Sequence, residues 1–238
     1  MLVAFTVVKY RRINIPLAFL AMAIHRIPLM RSKATFWKLM GCGENGDFSL
    51  KPDWQMWITL TVWENRKDFD EFYNSSFIAK WWEKYTQEKW TMLCEPLSSH
   101  GKWSKGEPFK NGNVIKNKGY LGPVAILTRA TIRPLKVKSF WANVGAVATI
   151  MRSAKGFIMT VSCGEAPLYL QATLSVWETM EDVMNFAYKS PEHAEVIKKT
   201  RTENWYSEEL FARFKPVASL GSINGENPLS KFQLVNTY

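Results

Sequence analysis

The sequence predicts an α+β fold: two tandem ferredoxin-like βαββαβ repeats forming a pseudo-twofold α+β barrel within one chain. Three observations predict it. The chain repeats itself, each copy shows the same order of elements, and a polar, Gly-rich segment separates the copies.

The repeat is direct. "LMRSKATFWKLMGCGE" (29–44) aligns without a gap on "IMRSAKGFIMTVSCGE" (150–165). Met30-Arg31-Ser32 meets Met151-Arg152-Ser153, and Cys42-Gly43-Glu44 meets Cys163-Gly164-Glu165, at an offset of 121. "LTVWE" (60–64) then matches "LSVWE" (174–178) at an offset of 114, so the loop "NGDFSLKPD" gives the first copy seven extra residues.

Each copy opens with a strand rich in Val, Ile and Thr (2–10; 123–133), followed by an apolar helix (16–31; 137–152). Two strands follow (34–42 and 54–63; 155–163 and 168–177), supported by β-branched and aromatic residues. A long helical region (66–92; 180–213) and a short closing strand (98–104; 217–223) complete the order βαββαβ. Residues 1–104 thus form the first repeat, 105–122 the linker, 123–223 the second repeat and 224–238 a tail read as loop.

The chain has 238 residues, 47% of them apolar and 14% aromatic, enough for a substantial core. Its eleven tryptophans serve either core packing or a flat apolar ligand site. The formal charge of +10 suits an acidic partner. Basic residues are scattered and no nucleic-acid motif is present, so an anionic membrane surface is expected rather than nucleic acid. Three cysteines without a CxxC pair argue for a reducing cytoplasm and against a zinc site or a disulfide framework. The N-terminus lacks the cationic region of a signal peptide. The most hydrophobic stretch, 13–30, is interrupted by Pro16, His25, Arg26 and Pro28, and is shorter than the ~20 apolar residues of a membrane span. It reads as a core or interfacial helix.

No nucleophile elbow, P-loop, HExxH or dinucleotide fingerprint occurs. Comparison of the repeats sorts the remaining candidates. CGE and VWE occur in both copies and read as structural. His193 aligns with Ala79, so the fold does not require a histidine there. At helical spacing it shares a stripe with Phe186, Ser190 and Ile197, which suits either a core-edge histidine or an axial ligand to haem iron. His25 and His100 read as surface or helix-end residues. Arg129 and Arg133, four apart on a strand, share one face by spacing, and either hold carboxylates such as haem propionates or reach, one or both, the solvent surface.

The stretches "FWKLMGCGENGDFSLKPDWQMWITLTVW" (36–63), "GPVAILTRATIRP" (122–134), "VWETMEDVMNFAYKSPEHAEVIKKTR" (176–201) and "WYSEELFARF" (205–214) resemble the spheroidene monooxygenase family of carotenoid ketolases. The resemblance runs over roughly residues 3 to 220. It implies a monooxygenase with haem b as cofactor, adding oxygen from O2 to a terminal carbon of an acyclic or monocyclic carotenoid and drawing on an electron donor. It also implies the dimeric α+β barrel superfamily, whose haem enzymes commonly carry the axial histidine on a helix of the C-terminal half, the position of His193. Here Glu192 intervenes between Pro191 and His193, and alignment with small haem-degrading members of the superfamily would place the ligand one turn later, near Ile197. Phe36, Trp37, Trp57, Phe140 and Trp141 are expected to line an apolar substrate slot. The implied setting is cytoplasmic, with peripheral contact to the inner face of a membrane; whether the chain forms a homodimer stays open. Two competing readings are a haem-free antibiotic-biosynthesis-type monooxygenase and a haem-binding protein without turnover.

Overall fold

The computed structural model describes residues 1–47, 49–110, 120–166, 168–189 and 191–234; the side chains of 146, 189 and 191–194 also lie outside the described set. Eight antiparallel strands close a barrel. The first repeat supplies β1 (Leu2–Tyr10), α1 (Ile15–Ile24), α2 (Arg26–Met30), β2 (Phe36–Gly43), β3 (Pro52–Trp63), α3 (Arg66–Ser75), α4 (Phe77–Tyr85) and β4 (Thr86–Gly101). The second supplies β5 (Val124–Ile132), α5 (Val137–Ser153), β6 (Phe157–Ala166), β7 (Leu170–Trp177), α6 (Met180–Lys189), α7 (Pro191–Thr202) and β8 (Tyr206–Ser222). The strand order is β1-β3-β2-β6-β7-β5-β8-β4. The halves meet at β4–β8 and at a short β2–β6 ladder in which Gly41 faces Gly164 and Cys42 faces Cys163.

Strand alternation fills the barrel. Val3, Phe5 and Val7 of β1, Met56, Ile58, Leu60 and Val62 of β3 and their second-half counterparts point inward. Outward residues pack beneath the helices. The repeated motifs have matching structural jobs. Trp63 and Trp177 are each 1% exposed, and each indole N–H donates to a hydroxyl two residues earlier, Thr61 at 2.8 Å and Ser175 at 2.9 Å. Ser32 and Ser153 of MRS each donate to the carbonyl three residues earlier, closing their helix ends. All three cysteines are buried free thiols.

Two expectations need correction. The second helical regions stop at Tyr85 and Thr202, not at 92 and 213, and the closing strands are much longer than predicted, 16 and 17 residues. Residues such as Glu, Leu, Lys and Met favour helix locally, but in SEELFARF the alternation of Leu210, Ala212 and Phe214 into the core decides for strand.

The linker and tail are also more than loop. "WSKGEPF" (103–109) follows β4 as "INGENPL" (223–229) follows β8. Each starts with a bridged turn, Trp103 to Gly106 and Ile223 to Glu226, with two central residues at positive φ. Trp103, Phe109, Ile223 and Leu229 are at most 3% exposed and join the barrel core as plugs. Linker residues 111–119 and tail residues 235–238 lie outside the described residues.

Candidate active site

Two recesses lie on the outside of the barrel. The first is a groove of about 330 Å³ over the β2–β6 seam, between α1 and α5. Gly41 and Gly164 lie in its floor, while Phe19, Trp54, Trp57 and Trp141 wall it. Backbone carbonyls orient two of these indoles: Trp57 donates to Trp54 O and Trp141 to Leu168 O, both at 3.0 Å. Ser162 on the groove is 3% exposed, and its hydroxyl has no hydrogen-bond partner among the described residues. The groove lining mixes aromatic walls with Asp47, Asp53, Glu165 and Gln171, and such an unpaired hydroxyl is a ready handle for a ligand oxygen.

The second recess comes from comparing the halves. In the first half one apolar cluster joins sheet and helices from Leu2 to Tyr10, and Thr6 is only 4% exposed. In the second half the outer core breaks in two. Ile126, Trp177 and Met151 form one part, and Ile132, Phe140 and Trp205 the other. Thr128, the counterpart of Thr6, lies between them on β5 and is exposed. Among the described residues, no helix side chain buries this point of the sheet. Phe186 of α6 packs on the first part and Val196 of α7 on the second.

The strand register joins the two recesses. Ser162 pairs with Thr173, and Thr173 with Thr128, across β6, β7 and β5. Three small hydroxylated side chains thus cross about 10 Å of sheet from groove to gap. Beside them Arg213 of β8, paired with Ile126, points outward; its buried Nε has no hydrogen-bond partner.

The predicted residues fall into three groups. Trp57 and Trp141 do converge on the groove. Phe36 does not: it packs on Trp103 and Phe109, ring centroids 5.7 and 6.3 Å away, at the barrel mouth. Trp37 packs in the outer core of the first half, and Phe140 is buried against Trp205. The two arginines are not brought together. Arg129, 4% exposed, points into the barrel mouth, where it meets Glu208 at 2.5 Å, Glu165 at 3.9 Å and the face of Trp103 at 5.5 Å. Arg133 lies past the end of β5, exposed, where a register shift after Thr131 has ended the alternation. Glu165 of CGE also accepts from Trp103 Nε1 and Lys38 Nζ, both at 2.6 Å, so this network holds the plug. Burial raises the pKa of Glu208, but the N–H groups of Lys105 and Ser104 and the Arg129 guanidinium outweigh it and hold the carboxyl below its usual range.

The histidines divide as well. His193 lies in α7, and its side chain is outside the described residues. His25 ends α1 as expected but is 2% exposed, boxed edge-on by Phe77, Trp81 and Trp82, with an unpartnered Nε2. Burial lowers its pKa to about 4. Three rings around it leave no place for a planar cofactor. Ser162, Thr128 and Arg213 went unrecognised in the sequence. Once 206–222 is known to be strand, its alternation alone turns Arg213 outward.

Fold and recesses define a class: an α+β barrel closed by two repeats within one chain, with a ligand-sized opening on its outer face. The crystal structure of an aldoxime dehydratase with butyraldoxime has this fold, with a TM-score of 0.64 at 10% identity, covering 90% of this chain and 79% of that one. Residues 124–213 match a domain of unknown function (DUF3291). The spheroidene monooxygenase of Cereibacter sphaeroides is 34% identical over 88% of this chain and 63% of its own length. That of Rhodobacter capsulatus is 30% identical over 91% of this chain and 90% of its own length. The chain belongs to the spheroidene monooxygenase family.

Proposed function

We propose that this chain is a haem-dependent carotenoid monooxygenase that hydroxylates or ketolates a terminal carbon of an acyclic or monocyclic carotenoid. The observation that carries this reading is the opening above Thr128, joined to the aromatic groove by a track of small side chains and absent from the other half. The family relationship supplies the substrate class.

The residues present suit a flat group bearing carboxylates: the small Thr128 floors the gap, and Arg213, outward on the neighbouring strand, carries an N–H without a partner among the described residues. His193, on the helix beside the gap, would hold the iron. A bound haem supplies the activation of O2, with electrons from a donor. The protein's own part is placement. Trp57 and Trp141 clamp the polyene on its faces. Ser162 donates its hydroxyl proton to an oxygen on the end group. A groove of this volume takes one end of a carotenoid, which accounts for attack at a terminal carbon. Arg129 and Arg133 have no part in this arrangement.

Absorption spectroscopy tests the cofactor. Purified protein reconstituted with haem b should show a Soret band that is lost in His193→Ala. Production in a host making an acyclic carotenoid should yield a pigment one oxygen heavier. Product without a Soret band would replace this reading with a haem-free monooxygenase; a Soret band without product would leave a haem binder.

A further inference from the structure

The helices α1 and α5 hold equivalent places in the two halves, yet their solvent faces differ. The second-half helix α5 turns out Lys138, Ala142, Gly145, Thr149 and Arg152. The first-half helices turn out Phe19, Leu20, Ile27 and Met30, which are 46, 47, 57 and 73% exposed; Ile13, just before them, is 84% exposed and is matched by Leu135 before α5 at 95%. The most apolar 18-residue window within residues 12–30 has a mean hydropathy of 1.5, and only 22% of it is buried. Scattered exposed apolar residues need no explanation, but a contiguous ridge does.

Charge indicates what covers the ridge. The first 43 residues contain seven lysines and arginines and no aspartate or glutamate. Arg11, Arg12, Arg26 and Arg31 are exposed along the ridge, whereas the arginine ion pairs of the described residues involve Arg66, Arg129 and Arg152. A second copy of the chain would bring these cations against their own equivalents across a twofold axis. Anionic lipid headgroups would instead complement them, with the apolar ridge sinking to the acyl boundary.

We infer that the exposed face of α1 and α2 is a docking surface for an anionic lipid bilayer, and that the groove opens onto it. Phe19 and Met22 of α1 are themselves groove walls. The Phe19 ring lies 5.3 Å from both Trp54 and Trp57, and Trp54 and Leu50 are 51 and 60% exposed on the lip. A lipid-dissolved polyene would pass from acyl chains to aromatic walls without crossing water. This last step rests on the groove being the carotenoid site.

Vesicle sedimentation tests the surface. The full chain should bind vesicles of equal parts phosphatidylcholine and phosphatidylglycerol, bind phosphatidylcholine alone weakly, and lose binding as salt rises. Ile27→Glu and Met30→Glu should each weaken binding on the order of tenfold, while Ala142→Glu and Thr149→Glu on α5 should leave it unchanged. Wild-type binding in all four variants overturns the inference. So does a dimer that Met30→Glu splits, in a protein that ignores vesicles. Turnover separates the two readings. Docking variants should fail with vesicle-borne carotenoid and work with detergent-dispersed carotenoid. Vesicle binding without turnover in either form leaves the docking surface standing and removes the carotenoid reading.

Discussion

His25 shows what one buried side chain does to the whole protein. It is neutral in the fold, with its pKa near 4, and regains an ordinary value of 6.5 on unfolding. The unfolded chain therefore takes up a proton first as pH falls. Above pH 6.5 the residue adds no pH dependence; between 6.5 and about 4 it destabilises progressively. Thermal melts across that range should show a falling Tm in the wild type and a flatter profile in His25→Phe. The sequence placed His25 at a helix end, correctly, but could not show that Phe77, Trp81 and Trp82 close around it, because those contacts cross some fifty residues of chain. Arg129 teaches the same lesson. Its spacing from Arg133 suggested a shared face, and neither the shift that ends β5 nor the waiting carboxylate of Glu208 is written in that spacing.

Among the elements, strands with local partners were the most legible. The MRS, CGE and VWE repeats located β2, β3, β6 and β7 to within a few residues. The closing strands β4 and β8 were misread, since their long ladder joins opposite halves of the chain and their composition favours helix. The gap over β5 was equally hidden. It shows as Thr128 left exposed among the described residues where Thr6 is buried, and only the comparison of two folded halves reveals that difference. Filling it gives a direct test: Thr128→Trp should leave the barrel folded by circular dichroism and weaken haem binding at least tenfold. Undiminished haem binding would place the cofactor elsewhere.

The molecule as a whole is held by reciprocal locks. The plug that follows the first half is gripped by the second, through Glu208, Arg129 and Glu165. The plug that follows the second half is gripped by the first: Gly225 N donates to Glu88 at 2.6 Å and Lys9 Nζ to Asn224 at 3.3 Å. The plug side chains complete the barrel core, so the tail belongs to the folding unit. Leu229→Ala, at a residue 1% exposed, should cost about 3 kcal/mol in denaturant unfolding. A change within error would mean that the tail merely rests on the mouth.

The seam where Cys42 faces Cys163 and Gly41 faces Gly164 has the self-matching character of an isologous contact, the kind a homodimer makes on its twofold axis. Two identical subunits must share every substitution, so an opening made in one would be made in both. A chain that carries both copies escapes that rule. One half can keep its tryptophans close against the sheet and supply rigidity. The other can leave Thr128 exposed among the described residues where the first half buries Thr6. Joining the copies thus permitted a division of labour that symmetry forbids.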